Sequence, residues 1–417
     1  MDNLKLKLPV RDQVAMNFSS LDDRVSADHR VRLVWAFVER LDISPLLERL
    51  KTFKGVRGGP ATDPRILLAL WLFATLDGVG SAREIDRLCD RDDAYRWIAG
   101  GVGVNYHTLA AFRASAGPFL DEVLTRSVAA LVKAGIADLS CVAVDSLRVK
   151  ASAGSASFRR QPTLAQLEAL AHQRVEQLKA QPAAETARRR KAQERAARER
   201  AERVSAAIEA VAQIEAARAA EDKTRRRKTP KPRNAPRAST TDPAARVMKL
   251  GNGAFAPAYN LQIKTDPAAA VIVGVSVGTN ASDRGQLLAA ADEIERRHGR
   301  RPDSLLADDG YDGRKDIEAV ETGGTAVHTP LPKKASAAEI KPTDTPGVRQ
   351  WKTRMATDEA KAVYAQRINT EHAHAQMRNH GLLQMPVRGP EKVMAVTLLF
   401  AVATNLLLHG SNLLLAM

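Results

Sequence analysis

Between Arg159 and Arg237 the chain carries no glycine, and Ala, Arg, Glu, Gln and Lys dominate. Such residues favour helix, and nothing in the stretch offers strand-like alternation. Leu164, Leu167, Ala171 and Leu178 form one apolar seam, and Val204, Ile208, Val211 and Ile214 form a second. The spacing predicts two long helices packed as a coiled-coil-like hairpin, interrupted at Gln181-Pro182. RRRKTPKPRNAPR, Arg225 to Arg237, is basic and proline-rich and should be a non-helical linker. The rest of the chain must therefore fold around a helical insertion.

Upstream, residues 1–20 read as a loose arm. From Asp28 to Ala116 the pattern is helical, with Val31, Val34, Trp35, Val38 and Leu41 on one face and Asp28 as the expected cap. The segment Lys54–Pro64 is a loop. Asp63 and Pro64 are expected to open an apolar helix running to Leu76, and Ser81 with Glu84 forms a capping box for the next. Leu139 to Asp145 reads as a buried strand with Asp145 at its C-terminal end.

Beyond the insertion, Pro257–Thr265 and Ala270–Gly278 predict a β-hairpin turning at Asp266-Pro267. Ser282–His298 reads as an amphipathic helix. Ser304 to Asp308 is a second short strand ending in acids, and Thr325–Pro332 a third. No Pro or Gly interrupts Val348 to His380, which predicts one helix. Val393–Leu408 is apolar but holds Thr397, Thr404 and Asn405 and is shorter than a membrane span, so a buried C-terminal helix is expected and no membrane.

On that predicted helix Tyr364, Arg367, Glu371 and Arg378 fall on one stripe, joined by His374. The plain alternative is a solvated face with an i,i+4 ion pair. Two further acids, Asp145 and Asp308, each follow a strand-like run. The net charge of +15 on 417 residues points to a polyanionic partner, nucleic acid before a membrane surface. Cys89 and Cys141 lack metal-ligand spacing and fit a reducing cytoplasm. His372 diverges from Glu371 on a helix and there is no HExxH, which argues against a zinc hydrolase.

The spacing Tyr364, Arg367, Glu371, Arg378 resembles the Y-R-E-K signature of DDE transposases from bacterial insertion sequences, with Arg378 where that family usually has Lys. The run Asp308, Gly310, Tyr311 resembles the family's Asp-x-Gly-Tyr, with Asp309 as the alternative acid. The resemblance extends over nearly the whole chain. It implies an α/β ribonuclease H-like catalytic core with an N-terminal all-α domain and a long helical insertion after the first core strand. The expected divisions are a helical, DNA-binding domain at 21–130, the first part of the core at 131–158, the insertion and linker at 159–238, and the remainder at 239–417.

The same resemblance implies cleavage and joining of DNA strands, by water and then by a freed 3′-hydroxyl. Asp145, Asp308 and Glu371 would be both catalytic and metal-ligating. Asp145 would bridge two Mg²⁺ ions, Asp308 hold one and Glu371 the other, with Mn²⁺ able to substitute. Tyr364, Arg367 and Arg378 would contact phosphates near the cut, and Arg225, Arg226, Arg227 and Lys228 would bind DNA without regard to sequence. The partners would be double-stranded DNA, as terminal inverted repeats and target, and a second copy in the active complex. The expected location is the bacterial cytoplasm, at the nucleoid. The alternative reading is a non-catalytic DNA-binding protein derived from a transposase.

Overall fold

Two of the caps read from the sequence, Asp63 and Ser81, start helices of the N-terminal region. The computed structural model describes residues 18–50, 59–180, 187–224, 233–332 and 338–417. Within them α1 spans Arg30–Arg40, α2 Ser44–Leu47, α3 Pro64–Leu76, α4 Ala82–Arg91, α5 Asp93–Ala99, α6 Tyr106–Ser115 and α7 Gly117–Lys133. The Asp63 carboxylate accepts the Arg65 N–H at 2.8 Å, and the Ser81 hydroxyl accepts that of Glu84 at 3.4 Å. The α1 cap is His29, whose Nδ1 accepts the Val31 N–H, rather than Asp28. The helix starts one residue too late for the acid to cap it. Residues Ile66 to Leu76 of α3 are all buried. A helix apolar on every side must be packed on every side. Here α1 and the C-terminal helix α15 (Pro390–Ala416) provide much of the cover.

A six-stranded sheet is built on β1 (Cys141–Lys150). β5 (Phe255–Asp266) pairs with it antiparallel from Ala143–Thr265 to Lys150–Ala258. On its other edge β5 carries β6 (Val271–Gly278) and, farther along, β4 (Arg246–Lys249). β7 (Ser304–Leu306) pairs with β1 in parallel over Cys141–Ala143 only, and β8 (Ala326–His328) continues parallel beside β7. The order is thus β8-β7-β1-β5, with β6 and β4 sharing the last edge.

A two-stranded stem, β2 (Phe158–Arg159) and β3 (Ala238–Ser239), closes the base of the insertion. From it rise α8 (Gln161–Ala180) and α9 (Ala187–Thr224), of 20 and 38 residues. At 1.5 Å per residue they are about 30 and 57 Å long. Leu164, Ala171 and Leu178 of α8, and Val204 and Val211 of α9, are buried as the seams predicted. Beyond the start of α8, residues 233–234 bind the longer helix, with Arg218 donating to the Asn234 carbonyl and Arg233 paired to Glu221.

The remaining helices among the described residues are α10 (Leu287–His298), α11 (Arg314–Thr322), α12 (Pro346–Met355), α13 (Asp358–Ala365) and α14 (Ile368–Asn379). One hydrophobic core runs without a break from Val25 to Leu413, through the N-terminal helices and the sheet alike. A buried ionic cluster reinforces the seam. Lys264 of β5 meets Glu293 of α10, whose neighbour Arg297 reaches Asp121 of α7. α15 is long and apolar enough to cross a membrane, but most of it is buried against α7, β6 and α3.

Four expectations are corrected. β1 continues five residues past Asp145 because β5 pairs with it out to Lys150, so the acid is mid-strand. The predicted helix over 348–380 is three helices. Thr357 is extended (φ −87°, ψ 153°) and its hydroxyl caps α13 by accepting the Ala360 N–H. At 366–370 the turn tightens to i→i−3 hydrogen bonds. α10 starts at Leu287, not Ser282, since Gly285 takes φ +89°. β8 covers only three residues of the predicted 325–332.

Candidate active site

Strand register brings the first two acids together. Ala143 of β1 is opposite Leu306 of β7; Asp145 lies two residues farther along β1, and Asp308 two residues past the end of β7. Side chains alternate with period two, so Asp145 and Asp308 leave the same face, on chains one inter-strand spacing apart. The backbone at Asp308 is still extended (ψ −179°), which carries the register to it. β7 pairs with β1 no farther than Ala143, so among the described residues no ladder partner covers the β1 edge beside Asp145. Asp309 has the opposite parity and is exposed.

The Asp145 side chain is 17% exposed. Its Oδ1 accepts the Ser146 N–H at 2.8 Å, and its Oδ2 takes the Arg367 guanidinium at 3.1 Å. His374 Nδ1 lies 3.6 Å from the same oxygen. Burial raises the Asp145 carboxyl above its ordinary range, and Arg367 only partly opposes this. Asp308 is also raised, first by burial and then by the charge of Asp145, against the Gly310 N–H that its Oδ1 accepts at 2.9 Å. Two desolvated acids that each disfavour the other's charge are suited to sharing a cation.

Glu371 stands differently. It lies in the first turn of α14, where an acid complements the helix dipole, and its side chain is 64% exposed. Its link to the strand acids is Arg367, whose Nη2 is 3.8 Å from Glu371 Oε1 while Nη1 holds Asp145. One guanidinium thus bridges the first and third acids. Arg367 in turn lies 6.0 Å from the centre of the Tyr364 ring, on α13. Arg378 is exposed in the last turn of α14. Arg225, Arg226, Arg227 and Lys228 lie outside the described residues.

His374 belongs to the site more closely than its place on the stripe suggested. It is buried, and burial, with Arg378 and Arg367 nearby, lowers it to about 4, so it is neutral beside Asp145 at neutral pH. Asp283 is also near, within electrostatic reach of both strand acids. The sequence pattern placed it inside a helix over Ser282–His298, whereas the helix starts at Leu287. The signal that could have found it was Gly285, a natural helix breaker two residues on.

Asp145 and Asp308 offer hard oxygen ligands of the kind Mg²⁺ takes, and a few suffice because the ion keeps several waters. Among the described residues no three His, Cys, Asp or Glu side chains converge closely enough to hold one ion. Glu371 is the one set apart, held at the rim by Arg367.

No curated protein and no solved structure matches the chain. Two family models do. Residues 19–115 match a Transposase domain (DUF772), and residues 228–406 match the Transposase DDE domain, a stretch that contains Asp308, the α14 acid and both stripe arginines. Transposases act on DNA, and those with a DDE domain generally use divalent metal ions. The two matches together cover about two thirds of the chain, on both sides of β1 and the insertion, and so the chain carries the two transposase domains typical of bacterial DDE transposases.

Proposed function

We propose that this protein binds the terminal inverted repeats of its insertion sequence and catalyses Mg²⁺-dependent strand cleavage and strand transfer, in the branch with the Y-R-E-K signature. The observation that carries this reading is the parallel pairing of β1 with β7, which leaves Asp145 and Asp308 each two residues beyond the last paired position, with Arg367 tying α14 to Asp145. The strand order, with β6, β5 and β1 antiparallel, β7 and β8 continuing parallel to β1, and the short β4 added on β5, supports a ribonuclease H-like core split by the insertion.

Asp145 and Asp308 would hold the metal, and Glu371, which stands at the rim, would turn in to complete the ligand set. Bound Mg²⁺ supplies an activated oxygen nucleophile and stabilises charge on the leaving oxygen. Arg367 orients the Asp145 carboxylate and sits where a scissile phosphate would need a counter-charge. Tyr364 stacks beside it, and Arg378 reaches a flanking phosphate. The duplex ends and the target DNA are the partners, and two copies pair the two ends.

Strand-specific nicking of a labelled terminal-repeat duplex tests the assignment. Asp145→Asn, Asp308→Asn and Glu371→Gln should each lose at least about a hundredfold, since residues merely behind a ligand already cost 10–100-fold. Repeat binding should persist, Mn²⁺ should replace Mg²⁺ in the wild type, and Asp309→Ala should stay near wild type. Full nicking by Asp308→Asn or Glu371→Gln would sink the proposal.

A further inference from the structure

Asp283 lies in the connection between β6 and α10, with its side chain 8% exposed. Its Oδ1 accepts two amide donors from β5, Asn260 Nδ2 at 2.7 Å and Gln262 Nε2 at 2.9 Å. Those two residues alternate onto one face of the strand. Its Oδ2 makes, among the described residues, one long ion-pair contact, 3.5 Å, with Arg148 of β1. Gln262 turns its own oxygen the other way and accepts the Tyr311 hydroxyl. Tyr311 is fully buried and ends the short turn, Asp309–Tyr311, that Asp308 caps. A hydrogen-bonded chain therefore runs from Asp283 through Gln262 and Tyr311 to the backbone that presents Asp308.

Gly310 measures how near the two acids are. A Cβ there would lie 2.9 Å from Asp308 Oδ1 and 3.7 Å from Asp283 Oδ2, so those oxygens are no farther apart than the two lengths combined. A buried carboxylate is retained only where it is hydrogen-bonded or serves a nearby cation. We infer that Asp283 is a positioning residue of the active site, fixing the Asp308 turn through Gln262 and Tyr311 and adding a fixed negative charge beside the point where Asp308 takes a divalent cation. Burial raises Asp145, Asp308 and Tyr311, and the charge of Asp283 adds to the rise at each. The inference rests on the reading of Asp308 as a metal ligand.

The test is Mn²⁺ binding by calorimetry on the full chain without DNA, beside thermal unfolding and nicking. Asp283→Asn should melt near wild type, yet its half-saturating Mn²⁺ should rise about tenfold in binding and in nicking, with nicking recovering at high Mn²⁺. Tyr311→Phe, which removes the relay hydroxyl and keeps the ring, should shift the same way. A folded Asp283→Asn with wild-type Mn²⁺ affinity would overturn the inference. If that variant does not fold, unchanged affinity in Tyr311→Phe would overturn it. Asp308→Ala separates the two readings. Loss of Mn²⁺ binding there with no effect of Asp283→Asn and Tyr311→Phe defeats this inference alone, whereas wild-type behaviour of Asp308→Ala defeats the metal site itself.

Discussion

Arg367 and Arg378 share a stripe on the sequence but not an environment. Arg367 is 17% exposed and clasps Asp145, whereas Arg378 is exposed in the last turn of α14. Removing Arg367 strands a desolvated carboxylate. Arg367→Ala should therefore lower metal-free stability by about 1.5–3 kcal/mol, the worth of a charged hydrogen bond. Saturating Mn²⁺ should restore part of that loss by supplying another cation. Arg378→Ala should leave the melting point unchanged and weaken repeat binding, with a salt slope shallower by about 0.9 for one lost phosphate contact. Thermal unfolding with and without Mn²⁺, beside gel shifts over a salt series, separates the two, and identical behaviour would refute the distinction. The sequence spacing already paired Arg367 with Glu371. It could not show the reach from Arg367 to Asp145, 222 positions upstream, because that contact exists only once α14 docks on the sheet.

At the scale of elements, patterns with a period were legible and interruptions were not. The seams of α8 and α9 and the β5–β6 hairpin follow from residue spacing alone. The run from Val348 to His380 contains only residues a helix tolerates, so composition could not mark its breaks. The N-cap Thr357, followed by Asp358 and Glu359 in the first turn, was the available cue. Charge on α9 is also unevenly laid out. Lys191, Arg195 and Arg198, spaced i, i+4 and i+7, are exposed on the half of the helix nearer α8's end. Changing all three to Gln should weaken binding to unrelated DNA and to terminal repeats equally, and flatten the salt dependence by up to about 0.9 per residue. A loss confined to repeat DNA would mean that the hairpin reads sequence.

For the molecule as a whole, acid is the sharper stress. His298, His328 and His380 are each held below the ordinary imidazole value of 6.5, in every case first by burial. The unfolded chain takes up these protons near 6.5 and the folded chain only at lower pH. Stability is therefore full above that range and declines as pH falls through it. The melting temperature should be level from about pH 8 to 7 and drop below about 6.5, and His328→Gln should shallow the drop. A melting point that holds to pH 5 would contradict this. The C-terminal helix sets a different limit. Val393, Val396, Leu398, Leu399, Val402, Leu406 and Leu413 of α15 are buried among the N-terminal helices and the sheet. At about 1.5–3 kcal/mol each, they match or exceed the roughly 5–15 kcal/mol net stability of a whole protein. Chains ending before Pro390 should thus be insoluble and bind no DNA, which sedimentation and gel shift would check. The first helices find their apolar partner about 300 residues downstream, so synthesis must pass Pro390 before α3 can be covered, and until then its buried face is open to aggregation or to a chaperone.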